Sequence, residues 1–243
     1  MRFYQLALRN FKEVYRDKVT MLLGIVMPVG FLVLFSSMQK GIQLDIFKPA
    51  SLAPGIIVFC YAFLTMFSSV LLAKDRQNAF LIRLFTTPLK AKDYILSYTL
   101  PFIPLAFMQT IICFVIAIVL GAHFTNIFAA SILLILVALI FIFLGVIFGS
   151  MFTLNQVSGV GSIFITIASL FSGAWMDLKM IGGVFDTFGY AMPFAHAVDL
   201  VRSILSGKGI EGLIGSLWVV IGYTITLMII SIFAFKKTKS KLA

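Results

Sequence analysis

Between residues 74 and 93 the chain interleaves charge with apolar side chains. Lys74, Asp75 and Arg76 stand together, Arg83, Lys90, Lys92 and Asp93 follow, and Phe80, Leu81, Leu84 and Phe85 recur at helical spacing before Thr87-Pro88. That pattern predicts a short amphipathic helix closed by Pro88, since the residue ahead of a proline avoids the helical region. Such a face makes no bonds and breaks none; it needs a partner surface. A second group of reactive types, Asp177, Asp186, His196 and Asp199, has a spacing that fits no metal-ligand or acid–base arrangement. His123 and His196 each stand alone, and a lone histidine at such a place reads as a hydrogen-bonded interface residue. Cys60 and Cys113 fall in apolar sequence, where a small packing role is expected, and no metal site is expected anywhere. The chain contains no G-x-x-x-x-G-K-[ST] phosphate loop, no H-E-x-x-H pair and no G-x-S-x-G elbow. No catalytic residues are assigned, and this chain alone does not hydrolyse ATP.

The elements that must position these residues are set by where charge is missing. Stretches 19–39, 49–73, 94–176 and 212–235 hold no Asp, Glu, Lys or Arg. A helix needs about 20 apolar residues to cross a bilayer, so three of the stretches hold one span each and 94–176 holds three. An all-α integral membrane protein with six spans is the predicted fold class. Composition agrees: 12% of the 243 residues are charged and 61% hydrophobic, against about 25% charged in a soluble domain. A mid-bilayer Lys, Arg or Asp costs about 2.5 to 3.5 kcal/mol, which sweeps the ionic residues into the gaps. With the N-terminus on the inner side, fourteen of the 19 basic residues lie inside, among them Arg2, Arg9, Lys12, Arg16, Lys74, Arg76, Arg83 and the tail lysines 236, 237, 239 and 241. Lys40, Lys48, Lys179, Arg202 and Lys208 lie outside. Positive charge is inside, so the net +10 describes membrane orientation rather than nucleic-acid binding. Both termini are expected in the cytoplasm. The spans carry no ionic residue that could serve as a proton or sodium relay, so the energy for any work must come from elsewhere.

Residues 1–18 place Phe3, Leu6, Ala7, Phe11, Val14 and Tyr15 at helical spacing between basic residues, a pattern for an interfacial amphipathic helix in the inner headgroup layer or packed on its own protein. The expected spans are 19–38, kinked at Pro28; 55–73, after a loop through Pro49 and Pro54; 99–121, opening with Pro101 and Pro104 and holding Gln109; 127–152; 159–176, after a turn at Asn155-Gln156; and 213–235. Between the fifth and sixth, short outer helices are expected to dip into or lie on the membrane, one beginning at Pro193 and carrying His196, Asp199 and Arg202. Gly145, Gly149, Gly159, Gly161 and Gly173 are helix-packing candidates, because small residues let backbones approach in lipid. The whole of 1–243 reads as one transmembrane domain.

Two patches carry a family resemblance. In the inner loop, Asp75-Arg76, Leu81, Leu84 and Thr86-Thr87-Pro88-Leu89 occur in order. Further on, Leu170-Phe171-Ser172-Gly173 is followed by Met192-Pro193-Phe194-Ala195-His196-Ala197-Val198-Asp199-Leu200-Val201-Arg202. Together with six spans, these resemble the permease subunits of ATP-binding-cassette exporters of the second type. Asn78-Ala79-Phe80 stands where that family usually has a Gly-Thr pair, and Lys74 where an acid is common. The resemblance implies a prokaryotic plasma-membrane exporter built from two permeases, identical or related, and two ATPase subunits that bind ATP and Mg. It also implies that Lys74, Asp75, Arg76, Phe80, Arg83, Leu84, Thr87 and Pro88 form a coupling helix against the ATPase, and that an amphipathic drug, antimicrobial peptide or lipid-linked molecule is the cargo. Two alternatives from other classes are an ion-coupled transporter and a lipid-modifying membrane enzyme using the outer Asp and His residues.

Overall fold

The computed structural model describes residues 2–42, 48–78, 91–175, 178–208 and 211–242. Helix α1 (Arg2–Arg16) leads through Asp17 into α2 (Lys18–Ile42). Then come α3 (Pro49–Gln77), α4 (Ala91–Thr99), α5 (Phe102–Val119), α6 (Ile127–Met151) and α7 (Leu154–Phe171). Three short helices, α8 (Leu178–Ile181), α9 (Gly183–Ala191) and α10 (Pro193–Leu205), precede α11 (Ile214–Leu242). Among the described residues, six helical stretches are long and apolar enough to cross a membrane: Lys18–Gln39, Pro49–Gln77, Ala91–Val119, Ile127–Met151, Leu154–Phe171 and Ile214–Thr238.

Several boundaries differ from those read in the sequence. The second span begins at Pro49 rather than residue 55, because Pro49 occupies the first helical turn, where its missing N–H leaves nothing unsatisfied. The third starts at Ala91 and is broken at Leu100-Pro101 into α4 and α5. The inner turn before the fifth span falls at Phe152-Thr153, not at Asn155-Gln156: the Gln156 Oε1 accepts from the Thr153 backbone N–H at 3.1 Å, so both later residues belong to the first turn of α7. That span therefore runs 154–171, five residues earlier than expected. The helix of the last span continues through the basic tail.

α3 and α6 form the centre. Of their most apolar windows 83% and 67% are buried, against 28% for α2 and 17% each for α7 and α11, which ring them. Ile57, Tyr61 and Leu64 of α3 share one buried apolar cluster with Leu134, Val137, Phe141 and Val146 of α6 and Phe102 and Leu105 of α5, while Leu52 and Ile56 of α3 belong to a second with Leu32 of α2 and Ala117 of α5. The α3–α6 crossing is close because Gly145 and Gly149 present no Cβ. A methyl at Gly145 would overlap the Ser68 hydroxyl, and one at Gly149 would lie 2.6 Å from the Ser69 carbonyl oxygen. The Thr65 hydroxyl donates across the same seam to the Phe141 carbonyl at 2.8 Å. Without a hydrophobic drive between helices in lipid, such close packing and hydroxyl bonding hold them together.

α2 is tied to the core by a different device. Pro28 lies inside the helix and brings no N–H to the Gly24 carbonyl four residues back. The Gln109 side chain of α5 fills that place, donating from Nε2 to the Gly24 oxygen at 2.8 Å. Gln109 is buried, and its Oε1 has no partner.

Candidate functional site

At the basic end of the bundle, Lys74, Asp75 and Arg76 sit on the last turn of α3, and successive residues of a helix point about 100° apart. Lys74 and Asp75 both turn toward α1, Asp75 reaches α4 as well, and Arg76 turns toward α6. Asp75 is 1% exposed. Its carboxylate accepts a two-pronged bond from the Arg9 guanidinium of α1, Nη2 to Oδ1 at 2.7 Å and Nη1 to Oδ2 at 2.5 Å, and a third bond from the Tyr98 hydroxyl of α4 at 2.5 Å. A buried carboxylate needs such pairing, and the bidentate geometry is the strong form of it. The bond to Asp75 in turn raises the Arg9 pKa above its ordinary value. Lys74 donates to Glu13 of α1 at 3.0 Å, and Glu13 also pairs with Arg9 at 2.8 Å. Asn10 adds a bond from Nδ2 to the Ser97 carbonyl of α4 at 3.1 Å.

Arg76 faces the other way. It donates through Nη1 to the Ser150 carbonyl and through Nη2 to the Phe152 carbonyl at 2.6 Å, satisfying the exposed end of α6. The Thr238 hydroxyl of α11 shares the Ser150 carbonyl at 2.9 Å. The triad thus anchors α1, α4 and α6 to the end of α3, and α11 joins only through the Ser150 carbonyl that Arg76 and Thr238 share. Sequence reasoning placed these three charges at the surface of a partner; the structure engages all three with the chain itself. Phe80, Arg83, Leu84, Thr87 and Pro88 lie outside the described residues, in the segment 79–90 that follows the triad.

α1 is amphipathic in a graded way. Leu6, Ala7, Asn10 and Val14 are buried against the bundle, while Tyr4, Leu8 and Phe11 are exposed. Asp17 then caps α2, accepting from the Val19 backbone at 3.1 Å and the Thr20 hydroxyl at 2.7 Å, and the hydroxyl bond holds its carboxyl below the usual range. Between α1, α2 and α3 lies a cleft of about 960 Å³ lined by charges of both signs, Arg9, Lys12, Arg16 and Lys74 with Glu13 and Asp17, and by apolar residues such as Leu23, Phe67 and Phe102.

At the opposite end, α9 and α10 form a hairpin whose tip enters the bundle. Phe194, the second residue of α10, stacks on Phe141 with ring centroids 4.9 Å apart. Phe141 lies fourteen residues into α6, about 21 Å along its axis. Pro193 opens α10 in its first turn. His196 bonds Ser216 of α11 through Nδ1 at 2.9 Å and the Tyr190 carbonyl through Nε2 at 3.0 Å; Asp199 accepts from the Tyr190 hydroxyl at 2.5 Å. Arg202 donates to the Ser51 carbonyl at the start of α3 and to the Gly173 carbonyl after α7, both at 3.1 Å. His196, Asp199 and Arg202 thus all hold the hairpin in place.

The packing glycines divide. Gly145 and Gly149 form the α3–α6 seam, and a methyl placed on Gly161 would lie 3.0 Å from the Met66 Cγ. Gly173 instead sits at φ +68° in the turn after α7, a conformation glycine adopts without strain. Among the described residues nothing lies within 4 Å of a methyl placed on Gly159, so it packs against none of them. With Ser158, Ser162 and Thr166 it forms an exposed small-residue stripe along α7. The Arg9–Asp75–Tyr98 bonding and the Gln109 tie were missed by sequence reasoning; a lone acid between Lys74 and Arg76, and a lone amide in an apolar span, were their only traces.

The family model for the ABC-2 type transporter matches residues 1–206. The chain belongs to the ABC-2 type transporter family. A relative named "Putative transport permease ycf38", from Porphyra purpurea, is 31% identical over 143 residues, covering 54% of this chain and 49% of that one. The chain spans about half the length of that curated relative. With six helical stretches among its described residues long and apolar enough to cross a bilayer, this member of the family is a multi-pass membrane protein.

Proposed function

We propose that this permease is one half of an exporter dimer in a prokaryotic plasma membrane, with both termini in the cytoplasm, driven by two copies of a separate ATPase that bind ATP and Mg. The segment 79–90 is the docking element: Phe80 and Leu84 enter an apolar groove of the ATPase, Arg83 meets an acidic patch, and Thr87-Pro88 closes the helix. The observation that carries this reading is the anchorage just ahead of it. A push on the segment reaches Lys74, Asp75 and Arg76 first, through them α1, α4 and α6, and α11 only by way of the Ser150 carbonyl. In this role the triad transmits force rather than touching the ATPase.

The α9–α10 hairpin is the re-entrant element of the outer face. A second permease faces the exposed stripe of α7, where Ser158, Ser162 and Thr166 suit a close helix partner or a wet path better than lipid. The cleft between α1, α2 and α3, which carries charges of both signs beside an apolar surface, suits an amphipathic cargo such as a drug, an antimicrobial peptide or a lipid-linked molecule.

Vesicles reconstituted with the permease and its ATPase should move a fluorescent amphipathic drug only when ATP is supplied. The Arg83→Glu permease should lose about tenfold in transport while ATP turnover continues. Transport by the permease alone, or transport unchanged by Arg83→Glu, refutes the proposal.

A further inference from the structure

On the basic end, away from α1, a groove of about 650 Å³ runs between the end of α6 and the last turns of α11. Its upper rim holds Arg76 and Lys237, its floor Ser150 and Thr238, and its lower wall Ile230 and Phe233. Among the described residues that line it, none is acidic. Phe233 is 64% exposed and Ile230 43%, on one face of α11 at a spacing of three. Phe235 ends the charge-free stretch, so the groove straddles the level at which α11 leaves the hydrocarbon. Lys236 lies over the Phe233 ring, 5.8 Å from its centre, which adds a cation at that level.

We infer that this groove binds one anionic phospholipid of the adjoining leaflet, its phosphate between Arg76 and Lys237 and an acyl chain along Phe233 and Ile230. The Ser150 and Phe152 carbonyls take two of the five guanidinium N–H groups, and the rest remain for a phosphate. Charge alone would suit any anion, but an exposed aromatic and aliphatic wall directly beneath the cations suits a molecule with a tail. An acidic strand of the ATPase would leave that wall in contact with lipid and unused. Bound there, the lipid joins α11 to the Arg76 end of α3, the same end that carries the triad. The inference needs the transporter reading only for which leaflet supplies the lipid.

The test uses the purified full chain in mild detergent, incubated with equal amounts of phosphatidylglycerol and phosphatidylcholine, with retained lipid counted by native mass spectrometry. Wild type should retain the anionic lipid at least fivefold over the zwitterionic one. Lys237→Gln, which leaves the Arg76 bonds intact, should lower that preference about fivefold, the effect of one cation near an anionic headgroup. Phe233→Ser should lower retention without changing the preference, and Lys208→Gln at the other end should change neither. Equal retention of the two lipids, or a preference untouched by Lys237→Gln, overturns the proposal. Displacement of the lipid by millimolar inorganic phosphate would mark a simple anion site and overturns it as well. So would crosslinking of the groove to the ATPase in lipid-depleted complex, which would make the occupant a protein. None of these readouts depends on transport.

Discussion

Gln109→Leu, made both in the native chain and in a Pro28→Ala background, tests whether a proline in one helix has been answered by an amide in another. In the native chain the substitution has two opposed effects. It strips the Gly24 carbonyl of the Gln109 bond, and a bare buried carbonyl costs about 1 to 3 kcal/mol; it also removes the unpartnered Oε1, whose burial costs a similar amount. The net change should be small, within about 1 kcal/mol. With alanine at position 28, the new backbone N–H reaches the Gly24 carbonyl, so removing the amide then only relieves a buried polar group and should stabilise. The two effects of Gln109→Leu should therefore differ by about 0.6 to 1.7 kcal/mol, the range measured for interhelical hydrogen bonds in membranes. Loss of the proline ring itself cancels in the cycle. Far-UV circular dichroism during denaturing-detergent titration of mixed micelles gives the four stabilities. If Gln109→Leu changes stability equally in both backgrounds, the amide is not serving the proline-freed carbonyl and the account of how α2 is held is wrong.

Asp75→Leu should destabilise the chain by about 2 kcal/mol and release α1, because it leaves Arg9 and Tyr98 without their shared acceptor; this lies below the roughly 3 to 5 kcal/mol of a fully buried broken pair, since the Arg9 side chain is 36% exposed. Limited proteolysis at the N-terminal helix checks this, and an unchanged cleavage rate counts against it. Gly145→Ala should lower the unfolding midpoint clearly, since its methyl overlaps Ser68 and the α3 backbone, whereas Gly159→Ala should leave the monomer's midpoint unchanged and weaken self-association in a crosslinking assay.

The spans were legible because lipid punishes charge residue by residue, so a run such as 212–235 declares itself without any tertiary knowledge. Their edges were less so. Pro49 and Pro54 read as loop, yet proline is at home in a first turn, and a helix in a bundle tolerates Pro54 further in. The basic-end network was illegible because Arg9 and Asp75 are 66 positions apart and only the fold brings them together. Asp75 between Lys74 and Arg76 looks like a solvated charge run; burial turns it into the acceptor for two other helices. Gly159 looked like Gly145 in sequence, but the difference between them is which neighbour is present, and that is set by packing alone.

Three consecutive residues gripping neighbours on different sides have a mechanical corollary. α3 cannot rotate about its own axis without parting from α1, α4 and α6 together, because any twist that favours one contact drags the next, about 100° around, out of reach. Torsion is locked out at that end of the molecule. Any stroke delivered there is converted to tilt or translation, and the central pair of helices moves as a lever rather than as a screw.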